Sequence, residues 1–530
     1  MQSEVTRYVL KIMIAQAAVG LFLFYRIYDR HAIERGRRWL AGVLVVLAAA
    51  AVYAYFDFGV YGKFGHFMNP HDFYHYYLGS KYAPEVGYLN LYNCTVAADA
   101  ELTNGAPPQK SVRSMETYQF VPVKRVLAKR QEYRSLFSDA RWEAFKHDVS
   151  YFKTRLGPNR WPPVVRDKGY NATPVWNMVA GLFSNHIPTD SSLGMWFLVS
   201  LDLILLTVMF ALVGWAFGSR ATLFSVVFFG TVFMMAYTHI RGAFLRLDWL
   251  AMLVMAVCFV KRERYKTAGA LMAYAGLARV FPLIFVFGLG VKFVVDVFRT
   301  RRLKRRYVEF FSAFGLTLVV LAAASVFYDG GIGRWHIFLT KIRLHDADLS
   351  PIRVGFKYVF LMTSHNPFGT WAAFEKQKLQ SFEGYKAVWW AIQFLVLGAS
   401  AYLVRKLEDY ETIPFGYVPA FFLTAPTFYY QVMILVSLFL FLPKPERLVR
   451  ALGVAYLFAL SCVMLVLAMF LPLDLTLSFS LSCLLLLLTG YMMVTAWLTP
   501  AAKAPGGSPV PQDRAPEPRK GPKHGKKRRR

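Results

Sequence analysis

Apolar runs of roughly 20 residues recur from residue 8 to residue 498, each long enough to cross about 30 Å of hydrocarbon as a helix. No other feature limits the fold so strongly. In lipid every backbone N–H and C=O must find a partner within the protein, so such runs read as helices. Segments near 8–25, 39–60, 193–217, 220–238, 247–260, 266–279, 281–298, 308–327, 386–404, 413–425, 428–442, 450–470 and 473–498 predict about thirteen crossings, the shorter ones tilted or broken. The expected fold is therefore an all-α polytopic membrane bundle. A composition of 56% hydrophobic and 18% charged residues agrees, and argues against a soluble class.

Charge placement predicts sidedness. The basic connectors "RIYDRHAIERGRR" (26–38), "KRERYK" (261–266), "RTRRLKRR" (299–306), "RKLEDYE" (405–411) and "PKPERLVR" (443–450) all fall on one side when the spans alternate. The tail ending "RKGPKHGKKRRR" joins them, and the positive-inside bias makes that side cytoplasmic. The net charge of +29 is thus assigned to anionic lipid headgroups and not to nucleic acid. Three regions are expected: an uncleaved anchor helix with its basic loop (1–38), a transmembrane domain (39–498), and a disordered basic tail (499–530). Loops 61–192 and 328–385 then lie outside and are long enough to hold helices of their own. The four cysteines show no metal-ligand or disulfide spacing.

The first outer loop opens with "NPHDFYHYYLGSKYAPEVGYLNLY" (69–92). Asn69 can cap a helix that starts at Pro70, placing Asp72 in the first turn, where a carboxylate is favoured. Helical capping alone accounts for the acid. The same helix would also set Asp72, His75, Tyr76 and Gly79 on one face, beside His71 and Tyr77. A carboxylate among aromatic rings can hold a sugar-like ring and accept a hydroxyl proton. His71 next to Asp72 makes an incomplete metal shell, so no essential metal is expected. Asp57, Glu85 and "WPPVV" (161–165) read as interfacial, solvating and structural features.

Outer connectors should be poor in positive charge, which makes "HIRGAFLRLD" (239–248) and "AGLARVFP" (275–282) exceptions. Arg279 stands at a helix break before Pro282, a place where membrane proteins build sites. Two readings are open: Arg246 pairs with Asp248 and Arg279 snorkels to the interface, or these arginines meet an anion. The second reading makes Asp72 a general base. Arg279, with help from Arg241, Arg246, Arg343, Arg353 or Lys357, would stabilise a departing phosphate. The donor would then be lipid-linked and delivered by the bilayer.

Asp72-Phe73, Tyr76-Tyr77, Gly79, Gly87-Tyr88 and Leu91-Tyr92 together resemble the first outer loop of the GT-C class, in particular glycosyltransferase family 87. "GYNATPVWNM" (169–178), "GALMAYAGLARVFP" (269–282) and "DLSPIRVGFKYVF" (348–360) are similar to later family segments in the same order. The resemblance spans roughly residues 40–445. It implies an inverting transferase in the cell inner membrane, with a polyprenyl-phosphate sugar as donor substrate and its active site facing the periplasm or exterior. The sugar would be a hexose such as mannose, the acceptor an outer-face lipid or glycan, and Asp72 the base. Where relatives carry Ser-Pro-x-x-Trp-x-His, this chain has "TAPTFYYQ" (424–431), so Tyr430 or Gln431 stands near the usual histidine. A carrier of lipid-linked saccharides and an inactive envelope scaffold are the alternatives; only the enzyme needs an acid in a large outer loop.

Overall fold

A computed structural model describes residues 4–30, 34–61, 64–105, 107–236, 240–347, 349–361 and 371–500. Residues 501–530, and with them most of the basic tail, lie outside the described residues, as do Asp348 and residues 362–370. The chain is largely α-helical. Among the described residues, eight helices are long and apolar enough to span a membrane. They are Glu4–Tyr28, Arg38–Tyr55, Ser192–Phe217, Phe281–Thr300, Arg305–Tyr328, Lys376–Lys406, Leu448–Phe470 and Leu475–Trp497. This is the build of a multi-spanning bundle.

The remaining five of the thirteen expected crossings are shorter. Helices Ser219–Thr231, Asp248–Lys261 and Tyr265–Ala278 run at most about 21 Å at 1.5 Å per residue. The two segments after residue 412 fold as pieces, Asp409–Phe415 with Tyr417–Leu423, and a 3₁₀ turn Phe428–Met433 leading into Ile434–Phe441. Most residues of these pieces are buried within the protein. A helix apolar all round reads the same in a hydropathy profile whether lipid or protein surrounds it, so the profile alone does not separate these five shorter segments from the eight long ones.

The first long loop folds into a helical cap. Helices Pro70–Lys81, Leu91–Leu102, Asp139–Val164 and Pro174–Ser184, with a two-stranded antiparallel ribbon of Ser111–Arg113 and Phe120–Pro122, enclose an aromatic core of Tyr74, Phe145, Phe152 and Trp161. Each fully buried phenylalanine contributes about 1.5–3 kcal/mol. Buried carboxylates tie the helices together. Asp148 accepts from Lys81 Nζ, Tyr82 Oη and Thr189 Oγ1. Asp99 accepts from Gln109, Lys153 and Trp161. Glu85 pairs with Arg141 at 2.5 Å and serves the same structural end.

Four of the basic connectors meet at the opposite end of the bundle. Asp409 binds Lys292 (2.6 Å), Arg306 (3.3 Å) and the hydroxyl of Tyr265 (2.8 Å). Glu411 holds Lys444 (2.7 Å) and the fully buried Arg450 (2.6 Å), and Glu408 reaches Lys261 (3.7 Å). Three carboxylates in one connector thus gather cations from the other three. At the cap end, Asp57 joins Arg7 (3.1 Å) and Arg241 (3.6 Å), while Lys11 Nζ donates to the Ala54 carbonyl (2.9 Å). That cluster pins the first helix to the second, and the four cysteines are all unpaired.

Candidate functional site

Between the cap and the bundle lies a cavity of about 580 Å³, within the range of small-molecule sites. Its acid is placed by local rules. Asn69 caps helix Pro70–Lys81, its side chain accepting from the Asp72 backbone N–H at 3.1 Å, and Pro70 opens the helix. Asp72, His75 and Tyr76 consequently line the cavity together, with His71 at its edge. Gly79 lies on the same face but against Tyr170, whose ring leaves no room for a Cβ.

The first arginine arrives on a loop held from two sides. The Arg246 and Leu247 backbone N–H groups donate to the Asp202 carboxylate at 2.9 and 3.1 Å. Upstream, the Gly242 carbonyl accepts from Asn69 N–H at 2.8 Å, and Gly242 has a φ of +66°. A Cβ there would fall 1.7 Å from the Phe67 carbonyl oxygen. So braced, Arg246 reaches Asp72 with Nε 3.2 Å from Oδ2, its guanidinium 3.9 Å from the centre of the Tyr76 ring. The neighbour in sequence, Asp248, instead accepts from Tyr274 Oη at 2.9 Å.

The second arginine ends helix Tyr265–Ala278. Arg279 adopts extended backbone there, and its Nη1 donates to the Ala278 carbonyl at 2.7 Å. Its guanidinium lies 5.4 Å from the Trp176 ring and 5.8 Å from the Tyr76 ring. Nε and Nη2 of Arg279, Nη1 of Arg246 and Oδ1 of Asp72 are buried without a hydrogen-bond partner in the protein. Unpaired buried guanidinium N–H groups are costly, and they stand here beside a cavity that an anion can enter. Burial pushes the Asp72 carboxyl up to about 6, against the pull of Arg246 and Arg279.

The third wall joins the second long loop to "TAPTFYYQ". Val354 N–H donates to the Pro426 carbonyl (3.0 Å) and Phe428 N–H to the Ile352 carbonyl (2.9 Å), so Arg353 and Thr427 sit side by side. Arg353 bonds the His345 carbonyl and lies 3.6 Å from Asp346. Tyr430 packs on Phe281 (5.5 Å) and within 5.8 Å of the Arg246 guanidinium.

The cavity therefore brings together Asp72, His71, His75, Tyr76, Arg246, Arg279, Arg353 and Tyr430. Five expected members stand elsewhere. Arg241 is engaged with Asp57 and the Tyr55 carbonyl. Tyr77 faces the cap core and donates to the Ile187 carbonyl. Gln431 braces the backbone, donating to the Val354 carbonyl and accepting from Tyr417 Oη, both at 2.9 Å. Arg343 is exposed on helix Gly333–Ala347. Lys357 lines an adjoining cavity of about 550 Å³ with Lys376, Lys386, Trp389 and Trp390. Two residues that sequence reasoning passed over are central: Asp202, which orders the Arg246 loop, and Asp167, which lines the cavity opposite His71 and His75. Asp202 carried a signal, being a lone acid within an apolar span. No protein-family model matches the chain, and neither a curated protein nor a solved structure matches it.

Proposed function

We propose that this chain is an integral membrane glycosyltransferase that moves a hexose such as mannose from a polyprenyl phosphate to a hydroxyl of a lipid or glycan acceptor, with inversion. One observation carries the reading. A buried carboxylate with an unpartnered oxygen shares a cavity with two arginines whose N–H groups are unpartnered as well. A base and an anion receptor in one cavity are what displacement of a phosphate by a hydroxyl needs.

In the proposed step the acceptor oxygen attacks the anomeric carbon as its proton passes to Asp72 Oδ1. The carbon–oxygen bond to the phosphate breaks, and the departing polyprenyl phosphate keeps the electron pair. Arg279 meets the developing charge with Nε and Nη2. Arg246 holds Asp72 by Oδ2 and offers Nη1 to the same anion. Tyr76, under both guanidinium groups, holds them in place by cation–π contact. The active site would face the exterior and the basic connectors the cytoplasm. The order of sequence segments that resembles glycosyltransferase family 87 is in keeping with the same reading.

Purified protein in liposomes, supplied with radiolabelled polyprenyl-phosphate hexoses and envelope lipid acceptors, tests it. Asp72→Asn should lower transfer about 10²–10⁴-fold, as loss of a general base does, with labelled donor still bound; Arg279→Ala should weaken donor binding as well as transfer. Donor binding and translocation without product from any hexose would replace the enzyme with a carrier.

A further inference from the structure

The cavity wall that holds Asp72 carries a second constellation. His71 and His75 are four residues apart on helix Pro70–Lys81, hence one turn apart on one face, with ring centroids 4.9 Å apart. Asp167 comes from the loop after helix Asp139–Val164. One ligand atom from each of the three lies within 4.8 Å of the other two. All three residues line the cavity.

The hydrogen bonds of His75 fix which nitrogen it presents. Its Nδ1 is 2.7 Å from the His71 carbonyl oxygen, which can only accept, so Nδ1 carries the proton. The lone pair is then on Nε2, 2.7 Å from Tyr92 Oη and 3.9 Å from Asp167 Oδ2. Metal-ligating imidazoles are held in this way, one nitrogen donating to a carbonyl and the other directed at the ion. The Tyr92 hydroxyl alone would satisfy a buried histidine. It does not explain a second imidazole one turn away or a carboxylate facing both.

We propose that His71, His75 and Asp167 form a binding site for a divalent transition-metal ion, of the kind that two imidazoles and a carboxylate select. Tetrahedral bonds of about 2.0–2.1 Å place ligand atoms roughly 3.4 Å apart. The contraction required falls on Asp167, whose side chain is 50% exposed, while that of His75 is 4% exposed and stays in place. Tyr92 Oη lies 2.7 Å from Nε2 on its lone-pair side, so the Tyr92 side chain swings aside to admit the ion. Three protein ligands leave a fourth position open toward the cavity, where an oxygen of a bound molecule can enter. The ion would also lock the 166–171 loop onto the 70–81 helix. This inference rests on the ligand geometry and stands whether or not the chain transfers sugars.

The test uses the full chain, purified in detergent with any affinity tag removed, stripped with chelator and titrated with cobalt(II) and then zinc(II). One equivalent should bind, cobalt giving the intense visible absorption of a four-coordinate site and zinc displacing it. His75→Gln and Asp167→Asn should each weaken binding at least tenfold, and Tyr92→Phe should keep it. If His75→Gln fails to fold, the exposed Asp167→Asn still decides the matter. Retention of less than a tenth of an equivalent, or binding by Asp167→Asn equal to that of the unaltered chain, would overturn the site.

Discussion

Gly242→Ala separates placement of the site from stability of the fold. Gly242 sits at a φ of +66°, and a Cβ there would lie 1.7 Å from the Phe67 carbonyl oxygen. Left-handed backbone costs a non-glycine residue about 1–2 kcal/mol. A carbon–oxygen contact needs about 3.3 Å, so the two loop segments must part by about 1.5 Å. That breaks the bond from Asn69 N–H to the Gly242 carbonyl and leaves a buried N–H unpaired, for about 1–3 kcal/mol more. The expected loss is about 2–5 kcal/mol. Gly157 is the control: its φ is +73°, and nothing lies within 4 Å of an added Cβ. Gly157, with ψ at 173°, is in an extended region open essentially to glycine alone, so Gly157→Ala should lose only the conformational part, about 1–3 kcal/mol. Cys94, Cys258 and Cys462 are buried, so a thiol-reactive dye reports unfolding of both variants during heating. The Gly242 variant should melt several degrees below the Gly157 variant. Its displaced loop carries Arg246, so transfer at a permissive temperature should fall about 100-fold, the usual effect of a 1 Å misplacement. Equal melting temperatures for the two variants would refute the steric argument.

Two further outcomes are expected. Glu411→Gln strands the fully buried Arg450 and the nearby Lys444 and should destabilise the chain by about 3–5 kcal/mol. Adding Arg450→Met should restore part of the loss in thermal melts, whereas strict additivity would show that the pair is not coupled. Burial pushes the Asp329 carboxyl up to about 6, with the Asn177 amide opposing it. A carboxyl raised on folding stabilises most when protonated, so its contribution is present below about pH 4 and fades as pH rises to about 6. Asp329→Asn keeps the acceptor for Asn177 and should raise the melting temperature at pH 7 but not at pH 4. An equal rise at both values would remove the titration from the account.

Local rules act within the sequence itself. Asn69, Pro70 and Asp72 obey capping chemistry that needs only four consecutive residues, and the structure builds that helix start. The bundle character was legible for the same reason, since hydropathy is additive along a segment. What depends on distant partners was not. Sequence proximity offers Arg246 its neighbour two positions on, Asp248, as a partner. Asp248 opens a helix and is taken by Tyr274, and Arg246 goes to Asp72 across a cap no local pattern describes. Gln431, expected from the sequence to contact substrate, has its amide committed to Val354 and Tyr417. Asp167 has no sequence spacing to His71 and His75 at all; the fold of the intervening cap brings it there.

The gathering of basic connectors around residues 408–411 also sets an order of assembly. Lys292 finds Asp409 only 117 residues later in the chain, and Tyr307 only 102. At about 5–20 residues per second, the earlier helices wait on the order of ten seconds after synthesis before their counter-charges emerge. Until then, Lys292 and Arg306 lack Asp409, while Lys304 and Arg305 already have Asp296 and Glu309 nearby in sequence. Synthesis of the first six long helices and closure of the bundle are therefore separate events in time. The carboxylates of one late connector act as the latch, and a ribosome that stalls before residue 408 leaves a threaded but unfastened chain.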